Sequence, residues 1–153
     1  MPLQKSGQPI YIYQDGKTFA QFYKEWLEYL LPKVDLENHR LIYGFEFRDP
    51  ECSFVSDTTS GNFEVRFEDK ISKTDITFHS LACHAVQYWK NELDLMKSIE
   101  GGLLRITGDK IDQFRVIHDM TDYARGEVFL KWMADSGYSD DRCFSQESTQ
   151  NSP

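Results

Sequence analysis

Apolar residues recur along this chain with two distinct periods, and the switches between them outline the fold. Phe19, Phe22, Tyr23, Trp26, Leu30 and Leu31 repeat at helical spacing, the pattern of an amphipathic helix with one buried face. Thr18-x-x-Gln21 predicts a capping box at its entrance, and Pro32 marks its end. From His39 the period falls to two. Leu41, Tyr43, Phe45 and Phe47 alternate with Ile42, Gly44, Glu46 and Arg48, which places four large apolar groups on one face of a strand. Asp49-Pro50 breaks it. Residues 52–57 predict a second strand, Ser60-Gly61-Asn62 a turn, and Phe63, Val65 and Phe67 the inward face of a third. A turn at Asp69-Lys70 precedes a fourth strand over residues 74–79, with Ile76 and Phe78 on one face. Short consecutive strands joined by tight turns predict antiparallel pairing.

Helical spacing returns between Leu81 and Ile99 through Ala85, Tyr88, Trp89, Leu95 and Met96, with a break predicted at residues 91–94. Gly101-Gly102 stops this element, and residues 103–107 predict a strand. Gly108-Asp109 then supplies a turn and an N-cap. Beyond it Ile111, Phe114, Ile117 or His118, and Thr121 share one side of a helix. A last helix over about residues 123–133 carries Val128, Phe129, Trp132 and Met133. From Ser136 the composition turns polar and rich in serine, so the pattern predicts one domain over residues 1–135 and a disordered tail over 136–153.

Composition narrows the functional classes. A net charge of −8 opposes binding to phosphate backbones, so nucleic acid is not an expected partner. No window approaches eighteen apolar residues, which excludes integral membrane association, and the first residues lack the apolar core of a signal peptide. Cys52, Cys83 and Cys143 are widely spaced and odd in number, the usage of reduced thiols in a cytoplasmic protein. The 11 Phe, 8 Tyr and 3 Trp are enough to line a cavity as well as to fill a core.

Candidate chemistry is sparse. His79, Cys83 and His84 are metal-ligating types close in sequence, but Cys83 and His84 diverge by about 100° on a helix. The bland reading is a partly buried thiol with hydrogen-bonded or exposed imidazoles. His118 can meet Asp122 at helical spacing, with Asp119 and Asp109 nearby, as a base and its orienting carboxylate or as an ordinary surface pair. Gly16-Lys17-Thr18 lacks the upstream glycine of a phosphate loop, since Tyr11 stands there. The sequence therefore predicts no catalytic residue, no metal and no cofactor.

The order helix, antiparallel strands, helix, Gly-Gly-strand-Gly, helix resembles the sterol carrier protein family. The resemblance is carried by Lys73-Thr74-Asp75-Ile76-Thr77-Phe78 and by Gly102-Leu103-Leu104-Arg105-Ile106-Thr107-Gly108-Asp109, and it spans about residues 18–133. It implies an α+β fold, with a curved, mostly antiparallel five-stranded sheet packed against helices. It further implies an internal apolar cavity that takes a lipid, fatty acyl or sterol-like molecule for transfer or presentation. Phe45, Phe47, Phe54, Trp89, Met96, Phe114, Met120, Phe129, Trp132 and Met133 are the candidate wall. The same spacing equally describes ordinary core. The alternative is thus a module of the same fold, its cavity filled by aromatics, that serves as a homodimer, a protein partner or an accessory subunit of an enzyme complex. The chain departs from the family in its aromatic first helix, in the bulk of Trp89, and in ending Asn151-Ser152-Pro153 where a peroxisomal Ser-Lys-Leu would stand.

Overall fold

The computed structural model describes residues 8–34, 40–59, 64–67 and 73–140. After a short strand, β1 (Ile10–Tyr11), the first helix α1 spans Gly16–Leu30. Its cap lies three residues before the predicted one: the Asp15 carboxylate accepts a hydrogen bond from the Thr18 N–H at 2.7 Å. That bond holds the Asp15 carboxyl below its ordinary pKa. The apolar stripe Phe19, Phe22, Tyr23, Trp26, Leu27 and Leu30 is buried as the spacing requires. A single 3-10 turn, Leu31–Lys33, follows, with Pro32 in its opening residues, where the missing N–H has no intrahelical acceptor to lose.

Five strands follow, β2 (Ile42–Arg48), β3 (Cys52–Asp57), β4 (Glu64–Phe67), β5 (Ile76–Leu81) and β6 (Leu104–Thr107). They form one sheet in the order β4-β3-β2-β5-β6. β2, β3 and β4 pair antiparallel in sequence, as do β5 and β6. The fourth predicted strand departs from the antiparallel expectation: β5 lies parallel to β2 rather than beside β4. Tyr43, Phe45 and Phe47 dominate the inner face of β2, and this register sets Ile76 and Phe78 of β5 opposite the first two of them. Asp75 fixes the register from outside the strand: its carboxylate accepts from the Ile42 N–H and its own N–H donates to the Ile42 carbonyl, each at 2.8 Å. The predicted turns at Ser60-Gly61-Asn62 and Asp69-Lys70, and Phe63, lie outside the described residues.

The remaining helices are short: α2 (Ala82–Trp89), α3 (Leu95–Glu100), α4 (Phe114–Thr121) and α5 (Glu127–Asp135). The predicted break between α2 and α3 is present. Asn91 adopts a left-handed φ of 63° there, and Asp94 caps α3 by accepting from the Lys97 N–H. Arg125 pins the break from the far side, donating to the carbonyls of Tyr88 and Leu93 at 2.8 Å each. Gly108 is required by contact: a Cβ at this position would stand 2.2 Å from the Asp75 carbonyl oxygen. Asp109, the expected cap, plays no such part. α4 is entered through a 3-10 turn, Ile111–Gln113, and no side chain caps either element.

The chain stays folded beyond residue 135. β7 (Tyr138–Ser139) pairs parallel with β1. The Tyr138 hydroxyl donates to Glu25 at 2.8 Å, and Lys90 bonds Asp140 at 2.8 Å. Residues 136–140, which the polar composition assigned to the tail, thus join the fold through the buried Tyr138 ring, and residues 141–153 lie outside the described residues. Among the described residues, no helix is long and apolar enough to cross a membrane.

Candidate functional site

The inner face of the sheet is laid down by alternation. Register aligns Tyr43 with Ser56 and Ile76, Phe45 with Phe54 and Phe78, and Phe47 with Cys52 and Ser80, while Leu104 and Ile106 continue the face on β6. α1 covers the β3 side of this face, stacking Tyr23 on Phe45, Phe47 and Phe54 at 5.0–5.8 Å between ring centroids. α2 and α4 roof the β5–β6 side. Between roof and sheet lies a cavity of about 90 Å³. Its walls come from the end of α1 (Tyr23, Leu27, Leu30), from β2 (Tyr43, Phe45, Phe47), from Phe78 and Leu104, from α2 (His84, Ala85, Tyr88, Trp89) and from α4 (Phe114, Ile117, His118, Thr121).

The cavity brings together Phe45, Phe47, Trp89 and Phe114 of the wall predicted from sequence. The others lie elsewhere. Phe54 is fully buried on the inner sheet face behind Tyr23 and Phe45. Phe129, Trp132 and Met133 are buried on the side of α1 away from the cavity wall, with Phe129 and Trp132 against Phe22 and Trp26. Met120 is half-buried against the core, and Met96 is 60% exposed because Ser98, not a methionine, is the buried residue of α3. Tyr23, Tyr43, Phe78, Tyr88 and Ile117 are wall residues outside the predicted wall, and His118, the candidate base of the sequence, lines the cavity as well. Phe78, Tyr88 and Ile117 were already on the apolar faces given by periodicity, so the signal existed. What it lacked was the crossing of α2 and α4 over β5.

Polar groups on the wall are few and mostly satisfied. The Trp89 indole N–H donates to the Tyr23 hydroxyl at 2.8 Å. Burial pushes the Tyr23, Tyr43 and Tyr88 phenols far above their ordinary pKa, so all three are neutral. Tyr88 Oη lies 2.6 Å from His118 Nδ1. Burial first, then the Arg125 guanidinium, lowers the His118 pKa, against opposing pulls from Asp122 and Asp119. The direction of this bond follows the imidazole tautomer: when Tyr88 donates, Nδ1 accepts and Nε2 carries the ring hydrogen. Asp122 pairs with Arg125 at 3.1 Å, and the ring partner of His118 is Tyr88 rather than the predicted carboxylate. The Ser56 hydroxyl, on the wall and fully buried, has no partner among the described residues.

The other candidates do not converge. His79 lies on the outer sheet face, its Nδ1 3.2 Å from Glu46 and its Nε2 2.9 Å from Thr107 Oγ1. Cys83 and His84 belong to α2, and His84 lines the cavity. Among the described residues, no three His, Cys, Asp or Glu side chains are placed to hold a metal. Glu46, His79 and Thr107 form a carboxylate–imidazole–hydroxyl row, but none of the three belongs to the cavity wall. Burial raises the Cys52 thiol to about 12, which keeps it from acting as a thiolate at neutral pH.

No protein-family model matches the chain, and no curated protein sequence does. Solved structures match it by fold. The sterol carrier protein domain 2 of Helicoverpa armigera superposes with a TM-score of 0.58 at 23% identity, covering 74% of this chain and 92% of that one. The ubiquinone synthesis protein UbiJ-SCP2 gives 0.54 at 18% identity, covering 71% of this chain and 96% of its own. A variant of the sec-alkyl sulfatase Pisa1 gives 0.51 at 21% identity, covering 60% of this chain but 15% of the sulfatase. The shared property is the fold: a mostly antiparallel five-stranded sheet backed by helices, of the sterol carrier type.

Proposed function

We propose that this protein binds an apolar small molecule of lipid, fatty acyl or sterol-like character between sheet and helices, for transfer or for presentation to another protein. The observation that carries the reading is the wall itself, aromatic and aliphatic on both layers, with its hydroxyls turned to protein partners apart from Ser56. Such a wall favours alkyl surface by about 0.8 kcal/mol for each methylene removed from water. Phe45, Phe47, Trp89 and Phe114 are the proposed contacts, while Phe54, Phe129, Trp132 and Met133 act as the packed layer that holds them. The fold adds support, since one solved relative by fold is a sterol carrier domain and another is a ubiquinone synthesis protein. Three widely spaced cysteines, Cys52, Cys83 and Cys143, suit a cytoplasmic setting.

The deciding experiment is organic extraction of freshly purified protein followed by mass spectrometry, with displacement of the neutral fluorophore Nile red as a parallel measure. A stoichiometric lipid, or saturable micromolar displacement, is expected. An empty protein that neither binds the fluorophore nor releases lipid would sink the proposal and favour a protein-docking module.

A further inference from the structure

We infer, resting on the lipid-site reading above, that the cavity selects an uncharged lipid with one hydrogen-bond-accepting oxygen, such as an alcohol, ketone or ester, over a carboxylate or phosphate. Among the described residues, the wall contains no Lys, Arg, Asp or Glu. Arg125, which lies over the Tyr88 ring, is 7% exposed and already committed to the Tyr88 and Leu93 carbonyls and to the Asp122 carboxylate. A carboxylate brought into this space would lose its hydration and meet no free positive charge, a cost that normally forces protonation or exclusion. Pairing it would require a protonated wall imidazole. For His118 the surroundings act the other way: burial, Arg125 and Arg115 oppose protonation more than Asp122 and Asp119 favour it.

What the wall does offer is neutral donors. The buried Ser56 hydroxyl lacks a partner among the described residues, and in the tautomer in which Nδ1 accepts from Tyr88 the His118 ring holds its hydrogen on Nε2. An unpartnered buried hydroxyl is an unmet cost that a ligand oxygen would relieve.

The test compares ligands of one chain length on the full-length protein at pH 7.4, each displacing Nile red: 1-hexadecanol, methyl palmitate and palmitate. The alcohol and the ester are expected to displace at concentrations at least about tenfold lower than the anion. Equal or better displacement by palmitate, with Nile red bound, would overturn the inference while leaving the lipid site standing. Failure of Nile red to bind at all removes the lipid site and this inference together. His118→Leu should weaken 1-hexadecanol several-fold while Nile red still binds, which also reports that the variant is folded. Unchanged hexadecanol affinity in that variant would remove His118 from the recognition of the oxygen.

Discussion

Two aromatic clusters sit side by side in this domain and end differently. Against α1 and α5, Phe22, Trp26, Phe129 and Trp132 pack with ring centroids 4.9–6.2 Å apart and are 0–9% exposed. Around the cavity, Phe78, Phe114, Tyr88 and His118 keep similar spacings of 5.4–6.0 Å yet remain half-buried. Ring contact alone therefore does not decide whether a region closes. Placement does: the rings of α5, itself only 9 residues long, pack on the apolar face of α1. α1 runs for 15 residues and offers an unbroken apolar stripe, whereas α2, α3 and α4 are 8, 6 and 8 residues long, with a break between the first two and β6 between the last two. Trp89 stands on the border, touching Trp26 and Phe129 on one side and the cavity on the other.

The contrast breaks most visibly at its closed end. Trp26→Ala should cost about 3–5 kcal/mol in urea unfolding, because it empties a fully buried site that its neighbours cannot refill. Trp89→Phe tests the border: loss of the indole donor to Tyr23 should cost about 1–3 kcal/mol, and an unchanged unfolding midpoint would assign Trp89 to the open side. On that open side, Phe114→Leu should cost less than about 1.5 kcal/mol while shifting Nile red affinity several-fold; an unaltered affinity with normal stability would detach Phe114 from the site. Ser56→Ala removes an unpartnered hydroxyl and should leave stability level or raised by up to about 1 kcal/mol. The smallest effect is the pH response of His118. Its folded pKa lies below the ordinary 6.5, so the unfolded chain takes up the proton first, and stability present above pH 6.5 is lost as pH falls toward the folded value. His118→Leu should flatten that part of an unfolding profile measured between pH 7 and 5.

Much of this was legible in the amino-acid order, and the failures share one cause. Period three to four over residues 19–31 and period two over residues 41–47 reflect local geometry that each segment imposes on itself, so the first helix, the central strand and the break before Leu95 could all be read. Which elements meet is a long-range matter. Nothing local says that β5 joins β2 in parallel, since Asp75 sets that register through the backbone of Ile42, 33 residues away. The same limit divided the candidate wall. Phe129 and Phe114 carry the same side chain on short helices, and only the placement of those helices sends one to the closed core and the other to the cavity. Met96 was misplaced for a simpler reason: α3 is a helix of one and a half turns whose inward position is Ser98.

The pairing of β1 with β7 has a mechanical meaning. Because the strands run parallel, a pull applied to the chain before Ile10 and after Ser139 drives them past each other lengthwise. The Ile10–Gly137 and Ile12–Ser139 hydrogen bonds, at 2.9 and 3.0 Å, are then loaded together in shear and do not open one after another like a zip. Tyr138, wedged against Phe22 and Trp132, adds a ring that must be dragged across packed aromatics before the ends can part. The domain is thus clasped where tension from flanking chain would enter it, and a helix layer that leaves room inside is shielded from strain arriving at its ends.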